Sequence, residues 1–376
     1  MRGDAEQSHG FEVLASWVRE HDGRVDRRLS LQHDAASGTR GVVASADIEA
    51  NTEILVVPWK LVIGGSGEAS RLGTDDDDAK RMCALIDAYE HILATADPWY
   101  APYVRMDGSM RGLPQPMLWS DAALEALQGL PPQDCKRHVQ WYIRICLSGE
   151  RPQEDLQESQ LHALVSFITR SSDRGLIPVY DLLNHHNGLR NVAIDAREDS
   201  VAVVTLQKVT AGEQLYNSYG EGWSHELFRD YGFVEPWPQL WGIGDTLRYY
   251  FLLFPDNVVE IMPEKISMHD RRGRTLAERS AAAATRTASL SMEQLAEFAG
   301  AARAFLQSLP TTADEDEALL SSFTASSFPN VNQSHTFGKE TMLHLAIDYR
   351  RTYKRAIETA MTVAMRGMLD NSRDEL

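Results

Sequence analysis

Two strand-rich stretches of this chain lie more than a hundred residues apart with helical sequence between them, so any fold must bring them back together across an insert. The first, GTRGVVASADIEANTEILVVPWKLVI, holds two β-branched runs around DIEANTE and reads as strand, turn, strand. From about residue 76 the period changes. In AKRMCALIDAYEHIL the apolar positions Met82, Leu85, Ile86, Tyr89 and Leu93 recur at helical spacing, and further helical stretches follow at 121–129, 133–148 and 155–169. After residue 175 the strand pattern returns as LIPVYDLL, read as a buried strand, and then as NVAIDA and VAVVTL, a hairpin turning at REDS.

Beyond about residue 240 the chain is mainly helical. Ser291 and Gln294 form a capping box ahead of an apolar stripe of Leu295, Phe298, Ala302, Phe305 and Leu309, and Pro310 closes that helix. Thr312 and Glu315 form a second box, and the sequence from Lys339 can make one helix of about 30 residues, roughly 45 Å long. A chain of 376 residues favours two units with well-filled cores, here 1–242 with a helical insert at about 76–169, and 243–376 as a helical domain.

Charge and cysteine usage narrow the function classes. A net charge of −17 argues against a phosphate-binding surface and makes basic peptides the easier partners. Cys83, Cys135 and Cys146 show no CxxC spacing and read as reduced, mostly buried thiols without a metal site, as expected of a cytoplasmic protein, with nucleus or plastid as alternatives. No run approaches the ~18 apolar residues that span a bilayer, so no membrane contact is expected. The terminal RDEL resembles an ER-retention address that would go unread without an entry signal. DDDD at 75–78 lacks the spacing of a calcium loop and reads as a solvated loop, while SAAAATRTAS reads as a linker or weak helix.

The feature needing most explanation is Asn184, His185, His186 and Asn187, a polar quartet directly after LIPVYDLL. Alone it would be a turn with local side-chain to backbone bonds. A second polar cluster lies downstream in AGEQLYNSYGEGWSHELFRDYGF, where a short helix carries Leu227, Phe228 and Tyr231 on one side and ends at Gly232 in a left-handed cap.

DLLNHH followed by SYG and then DYGF resembles the SET domain of protein methyltransferases, in the Rubisco lysine methyltransferase-like group. GTRGVVASADI is similar to the first SET motif, DPWYAPYV with LPQPMLWS to the group's helical insert, and LPTTADEDEALL with AIDYRRTYKRAIE to its C-terminal substrate-binding domain. The resemblance implies an α+β protein, a β-rich SET fold with a pseudoknot and inserted helices followed by an all-α C-terminal domain. It also implies a monomeric S-adenosylmethionine-dependent enzyme that methylates lysine in a non-histone protein.

On the same resemblance Asn184 and His185 hold the adenine edge, Phe233 lies against the adenine face, and Arg170 reaches the cofactor carboxylate. Gly41, Val43 and Tyr231 complete that pocket, and Tyr219 is the catalytic tyrosine. Ser172, Tyr180 and Trp223 are expected along the substrate channel, and no metal is implied. Gly222, Trp223 and Ser224 stand where many relatives have Arg-Ser-Asn, and Trp237 where asparagine is common, which alters peptide recognition at that loop. Tyr180 and Ser172 depart from the tryptophan and asparagine of the actin-histidine branch, which favours lysine over histidine as acceptor. The alternatives are histidine methylation and a peptide-binding module that has lost methyl transfer.

Overall fold

The computed structural model describes residues 2–34, 39–64, 75–107, 115–149, 152–172, 174–220, 222–235, 237–243, 249–262, 276–323 and 339–374. Its strands are β1 (Arg24–Val25), β2 (Leu29–Asp34), β3 (Thr39–Ala44), β4 (Glu53–Pro58), β5 (Asn184–His185), β6 (Val192–Ala196), β7 (Ser200–Thr205), β8 (Tyr216–Asn217), β9 (Gln239–Ile243), β10 (Tyr249–Leu253) and β11 (Val259–Met262). Its helices are α1 (Arg2–Glu20), α2 (Asp75–Thr95), α3 (Ala101–Met106), α4 (Asp121–Glu125), α5 (Arg137–Trp141), α6 (Glu158–Arg170), α7 (Ser224–Tyr231), α8 (Leu276–Ala288), α9 (Met292–Ser308), α10 (Ala313–Ser322) and α11 (Lys339–Asp374). The chain divides into two compact units, 1–112 with 137–219, and 113–136 with 220–376.

In the first unit the two distant strand-rich stretches meet as the sequence requires. β4 pairs antiparallel with β7, and a four-stranded sheet runs in the order β1-β4-β7-β6. Val57, Val201, Ala202 and Val203 in it are fully buried, so the β-branched runs serve as core on a pleated surface. β6 and β7 form the expected hairpin, with Ala196 opposite Val201. β3 and β4 flank the DIEANTE turn without pairing; β3 pairs with β2 instead.

The run LIPVYDLL is not a strand. Leu176 makes a single bridge to Ile63, after which the chain turns through Val179 into a 3-10 turn at Tyr180–Leu182. Val179 sits at φ 71°, ψ −45°, a conformation that a β-branched residue adopts only under strain of order 1–3 kcal/mol. The run is apolar because it is buried, which strands and buried turns share and periodicity cannot separate.

Among the inserted helices, α2 packs on α6. DDDD is the first turn of α2 rather than a loop, where the helix dipole favours acids. α5 runs on into a π-turn, Tyr142–Cys146, whose Cys146 is disulfide-bonded to Cys83 of α2. The expectation of three reduced thiols is thereby corrected, since only Cys135 is free and buried. A separation of 63 residues without a motif gave no sign of the pairing, which arises because two packed helices bring the cysteines together.

The second unit has its own core. Trp119, Leu127 and Leu130 pack with Phe228, Trp241, Phe251, Phe298, Tyr349 and Tyr353. The expected boundary at residue 242 therefore falls inside β9, within this core, and the 113–136 segment of the insert belongs here. α9 and α10 start at the Ser291 and Thr312 capping boxes, and α11 is one helix of 36 residues. SAAAATRTAS lies in helix α8 and its end. The antiparallel sheet β11-β10-β9 ahead of these helices had no clear signal in the sequence. Of RDEL, Arg373 and Asp374 end α11, and residues 375–376 lie outside the described residues.

Candidate active site

The polar quartet is the lock of a chain crossing. β5 runs parallel to β8, with Asn184 beside Tyr216 and His185 beside Asn217, so the quartet lies against a segment 30 residues further on. The Asn184 amide donates to the Arg40 carbonyl at 2.7 Å and to Gln214 Oε1 at 2.8 Å, joining β3, β5 and the lead into β8. His185 Nδ1 accepts from the Tyr219 amide at 2.8 Å, which places the imidazole proton on Nε2. Asn187 Oδ1 accepts from the Ser218 hydroxyl at 2.7 Å. His186 Nδ1 accepts from the amides of Gly188 and Leu189 at 3.1 Å each, and its ring meets the Tyr216 ring edge-on at 5.3 Å. All four side chains thus reach residues 214–219, and His186 also shapes the turn that follows it.

Gly41 is required at this crossing. A Cβ there would stand 2.3 Å from Gln214 Oε1, and that amide is pinned by Asn184. Val43, two residues on, is buried and bridges Gln214. Asn191 adds a second clamp, donating to the Gln214 carbonyl at 2.9 Å and accepting from the Tyr216 amide at 2.8 Å.

Tyr219 emerges from this knot half-buried. Its hydroxyl donates to the Leu183 carbonyl at 2.8 Å, and its ring lies 5.2 Å from the His185 ring. Burial pushes the phenol up to about 12 against the pull of Arg170, so it keeps its proton at neutral pH. Tyr180, buried one turn earlier, is hydrogen-bonded to Asn217, and burial raises its phenol as well. Ser172 is engaged locally, its hydroxyl donating to the Gly175 carbonyl at 3.3 Å and accepting from the Arg174 amide at 3.1 Å.

Arg170 ends α6 half-buried, within electrostatic range of Tyr219. Its Nε lies 2.9 Å from Asp107 Oδ1 as an ion pair that lacks hydrogen-bond geometry, and its Nη1 donates to the Asp181 carbonyl at 2.7 Å. Asp107 also accepts from Tyr89 at 2.6 Å, Ser166 at 2.7 Å and His162 at 3.0 Å. Burial opposes its charge, but the His162 hydrogen bond and the Arg170 charge hold it well below the usual carboxylate range. Asp181 goes the other way, pushed up to about 8 by burial despite the Tyr103 hydroxyl and Arg170. One guanidinium between two buried carboxyls keeps one of them ionised and leaves the other easily protonated.

Residues 39–220 match the family model described as SET domain. The chain carries a SET domain. Around it, the chain is 20% identical over 259 residues to the N-lysine methyltransferase setd6 of Danio rerio, covering 59% of this chain and 56% of the relative. It is 24% identical to the human N-lysine methyltransferase SETD6 over 53% of this chain and 48% of the relative. It is 25% identical to the actin-histidine N-methyltransferase of Rhinolophus ferrumequinum over 61% and 43%. The chain thus spans about half the length of these relatives. The whole fold is shared with the SET domain of LSMT bound to lysine and AdoHcy, with a TM-score of 0.57 at 18% identity over 96% of this chain and 92% of that one.

Within the SET domain the structure gathers Gly41, Val43, Arg170, Ser172, Tyr180, Asn184, His185 and Tyr219 into the first unit. Tyr231, Phe233 and Trp223 belong to the second. There the Tyr231 and Phe233 rings are 5.9 Å apart, and Trp223 stacks on His225 at 5.6 Å and leans on Tyr250 at 4.9 Å. Sequence reasoning missed Asp107, Asp181, Gln214 and Asn191. An acid inside the apolar run VYDLL was a usable signal for Asp181; Asp107, in RMDGS, resembles any turn.

Proposed function

We propose that this chain is an S-adenosylmethionine-dependent protein-lysine N-methyltransferase acting on a non-histone protein. The observation that carries this reading is Tyr219, held at its amide by His185 and at its hydroxyl by the Leu183 carbonyl, inside the pseudoknot of a SET domain and beside Arg170. The relatives named as N-lysine methyltransferases support lysine over histidine as the acceptor.

The residues present fit the cofactor. Arg170 would meet the cofactor carboxylate in a charge-assisted contact, and its ion pair with Asp107 and its bond to the Asp181 carbonyl hold the guanidinium in place. Asn184 and His185 commit their side chains to the crossing, so their part toward an adenine is through main-chain groups. When bound, S-adenosylmethionine would supply a methyl group on a cationic sulfonium. A lysine amine starts near a pKa of about 10.4 and must lose its proton before attack, which an apolar channel promotes by disfavouring the charged form. Tyr219 keeps its proton, so its role is an oriented oxygen and alignment, which can supply ~7–11 kcal/mol, rather than that of a phenolate base.

The test is incubation of the purified chain with methyl-labelled S-adenosylmethionine and a cell extract, followed by mass spectrometry of the labelled residues. Label on lysine is expected. Label on histidine would move the acceptor, and cofactor binding by calorimetry without any label would make the chain a binding module.

A further inference from the structure

Asp181 lies at the junction of three parts of the first unit, although nothing in its chemistry faces outward. Its backbone and side chain close a ring on Ile177: the Asp181 amide donates to the Ile177 carbonyl at 3.1 Å, and the Ile177 amide donates to Asp181 Oδ1 at 3.1 Å. Between them lie Pro178, whose φ is restricted by its ring, the strained Val179, and Tyr180. Asp181 Oδ2 accepts from the Tyr103 hydroxyl at 2.7 Å, which anchors the turn to α3, and its carbonyl accepts from Arg170 Nη1 at 2.7 Å, which anchors it to α6.

Downstream the turn continues with Leu182 bonded to Val179 and Leu183 bonded to Tyr180, at 3.1 and 3.0 Å. The Leu183 carbonyl, two residues past Asp181, is the group that receives the Tyr219 hydroxyl. A strained backbone persists only where its surroundings over-determine it, and the restraints here converge on one carboxyl.

We propose that Asp181 is a positioning residue for methyl transfer, whose carboxyl holds the Val179 turn and thereby sets the Leu183 carbonyl that orients the Tyr219 hydroxyl. This rests on the methyltransferase reading above. The Arg170 hydrogen bond is to the Asp181 backbone carbonyl, so loss of the side chain removes no hydrogen-bonding atom from the arginine. The inference therefore separates chemistry from cofactor binding. The raised pKa of Asp181 agrees with a carboxyl kept for its hydrogen-bonding geometry, because the isosteric amide can make the same Ile177 contact.

The experiment uses the full chain, with Asp181→Ala, Asp181→Asn and Tyr103→Phe, each checked by circular dichroism and by calorimetry with S-adenosylmethionine. Methyl transfer from labelled cofactor into extract protein is read as a single-turnover rate at saturating cofactor. Loss of one oriented polar contact predicts a rate lowered ~10²-fold in Asp181→Ala and ~10-fold in Tyr103→Phe, with cofactor affinity within about threefold of wild type. Asp181→Asn should restore the rate to within about threefold of wild type. Wild-type rates in Asp181→Ala, or a loss matched by lost cofactor affinity, would overturn the assignment, as would an Asn variant as slow as Ala. If Asp181→Ala fails to fold, Tyr103→Phe and Asp181→Asn decide by the same criteria. Failure of the functional reading is a separate result: the wild-type chain would then transfer no methyl at all.

Discussion

Tyr219 is where structure and chemistry are most tightly joined. Changing it to Phe keeps the ring and its contact with His185 and removes the hydroxyl bonded to Leu183. If that hydroxyl acts in the transition state as proposed, the turnover rate should fall ~10²-fold while the Michaelis constant and melting temperature barely move. Wild-type turnover in the Phe variant would leave the tyrosine a purely structural role. Asp107 and Asp181 make a second, pH-dependent statement. The folded pKa of Asp107 is depressed, so its stabilisation is present above about pH 4 and lost as pH falls through the folded value. That of Asp181 is raised to about 8, so stability present below its unfolded pKa is lost as pH rises from there toward 8. Asp181→Asn removes the second effect alone. Its melting temperature relative to wild type should climb between about pH 5 and about pH 9, and a difference independent of pH would contradict the raised pKa.

At the scale of elements, the crossing of β5 and β8 decides the site, and its parts were unequally legible. Asn184, His185 and Tyr219 stood out because polar residues at the edge of apolar runs need partners, and the resemblance supplied the topology. Gln214 could not be foreseen, since its importance lies in an approach to Gly41 that only the folded pair of segments creates. The VYDLL turn was misread because burial alone explains its apolar residues, and β9–β11 were missed because their strands are short and adjoin helical sequence. Gly41→Ala tests the crossing directly. The new methyl would displace the Gln214 amide from Asn184, leaving buried polar groups unsatisfied at ~1–3 kcal/mol. Chemical denaturation should show that loss, and Gly41→Ala combined with Gln214→Ala should recover part of it by making room. A double variant no better than the sum of the singles would mean that the two residues do not meet.

At the scale of the whole molecule, the second unit cannot be removed by cutting at the boundary that the sequence suggested. A chain ending at residue 242 keeps α7 and most of β9 but loses α11, and α11 supplies the surfaces they pack on. Tyr349 stacks on Phe228 with ring centroids 4.0 Å apart, Tyr353 lies 5.1 Å from the Trp241 ring, and the Tyr353 hydroxyl donates to the Gly242 carbonyl at 2.7 Å. Arg350 Nη1 donates to the Ala126 carbonyl at 2.7 Å, so the 113–136 segment is held by the same helix. The long helix is in turn fastened to α10 by a buried cluster in which Asp316 takes Lys354 at 2.7 Å together with Arg350. Truncation would thus uncover Trp119, Phe228 and Trp241 at once, a contiguous apolar surface of the kind that drives aggregation. The 1–242 chain is expected to be insoluble or to associate on size-exclusion chromatography, whereas the full chain is not. A soluble, monomeric 1–242 chain that binds S-adenosylmethionine like the full protein would show that the 113–136 and 220–242 segments do not depend on the helices that follow them.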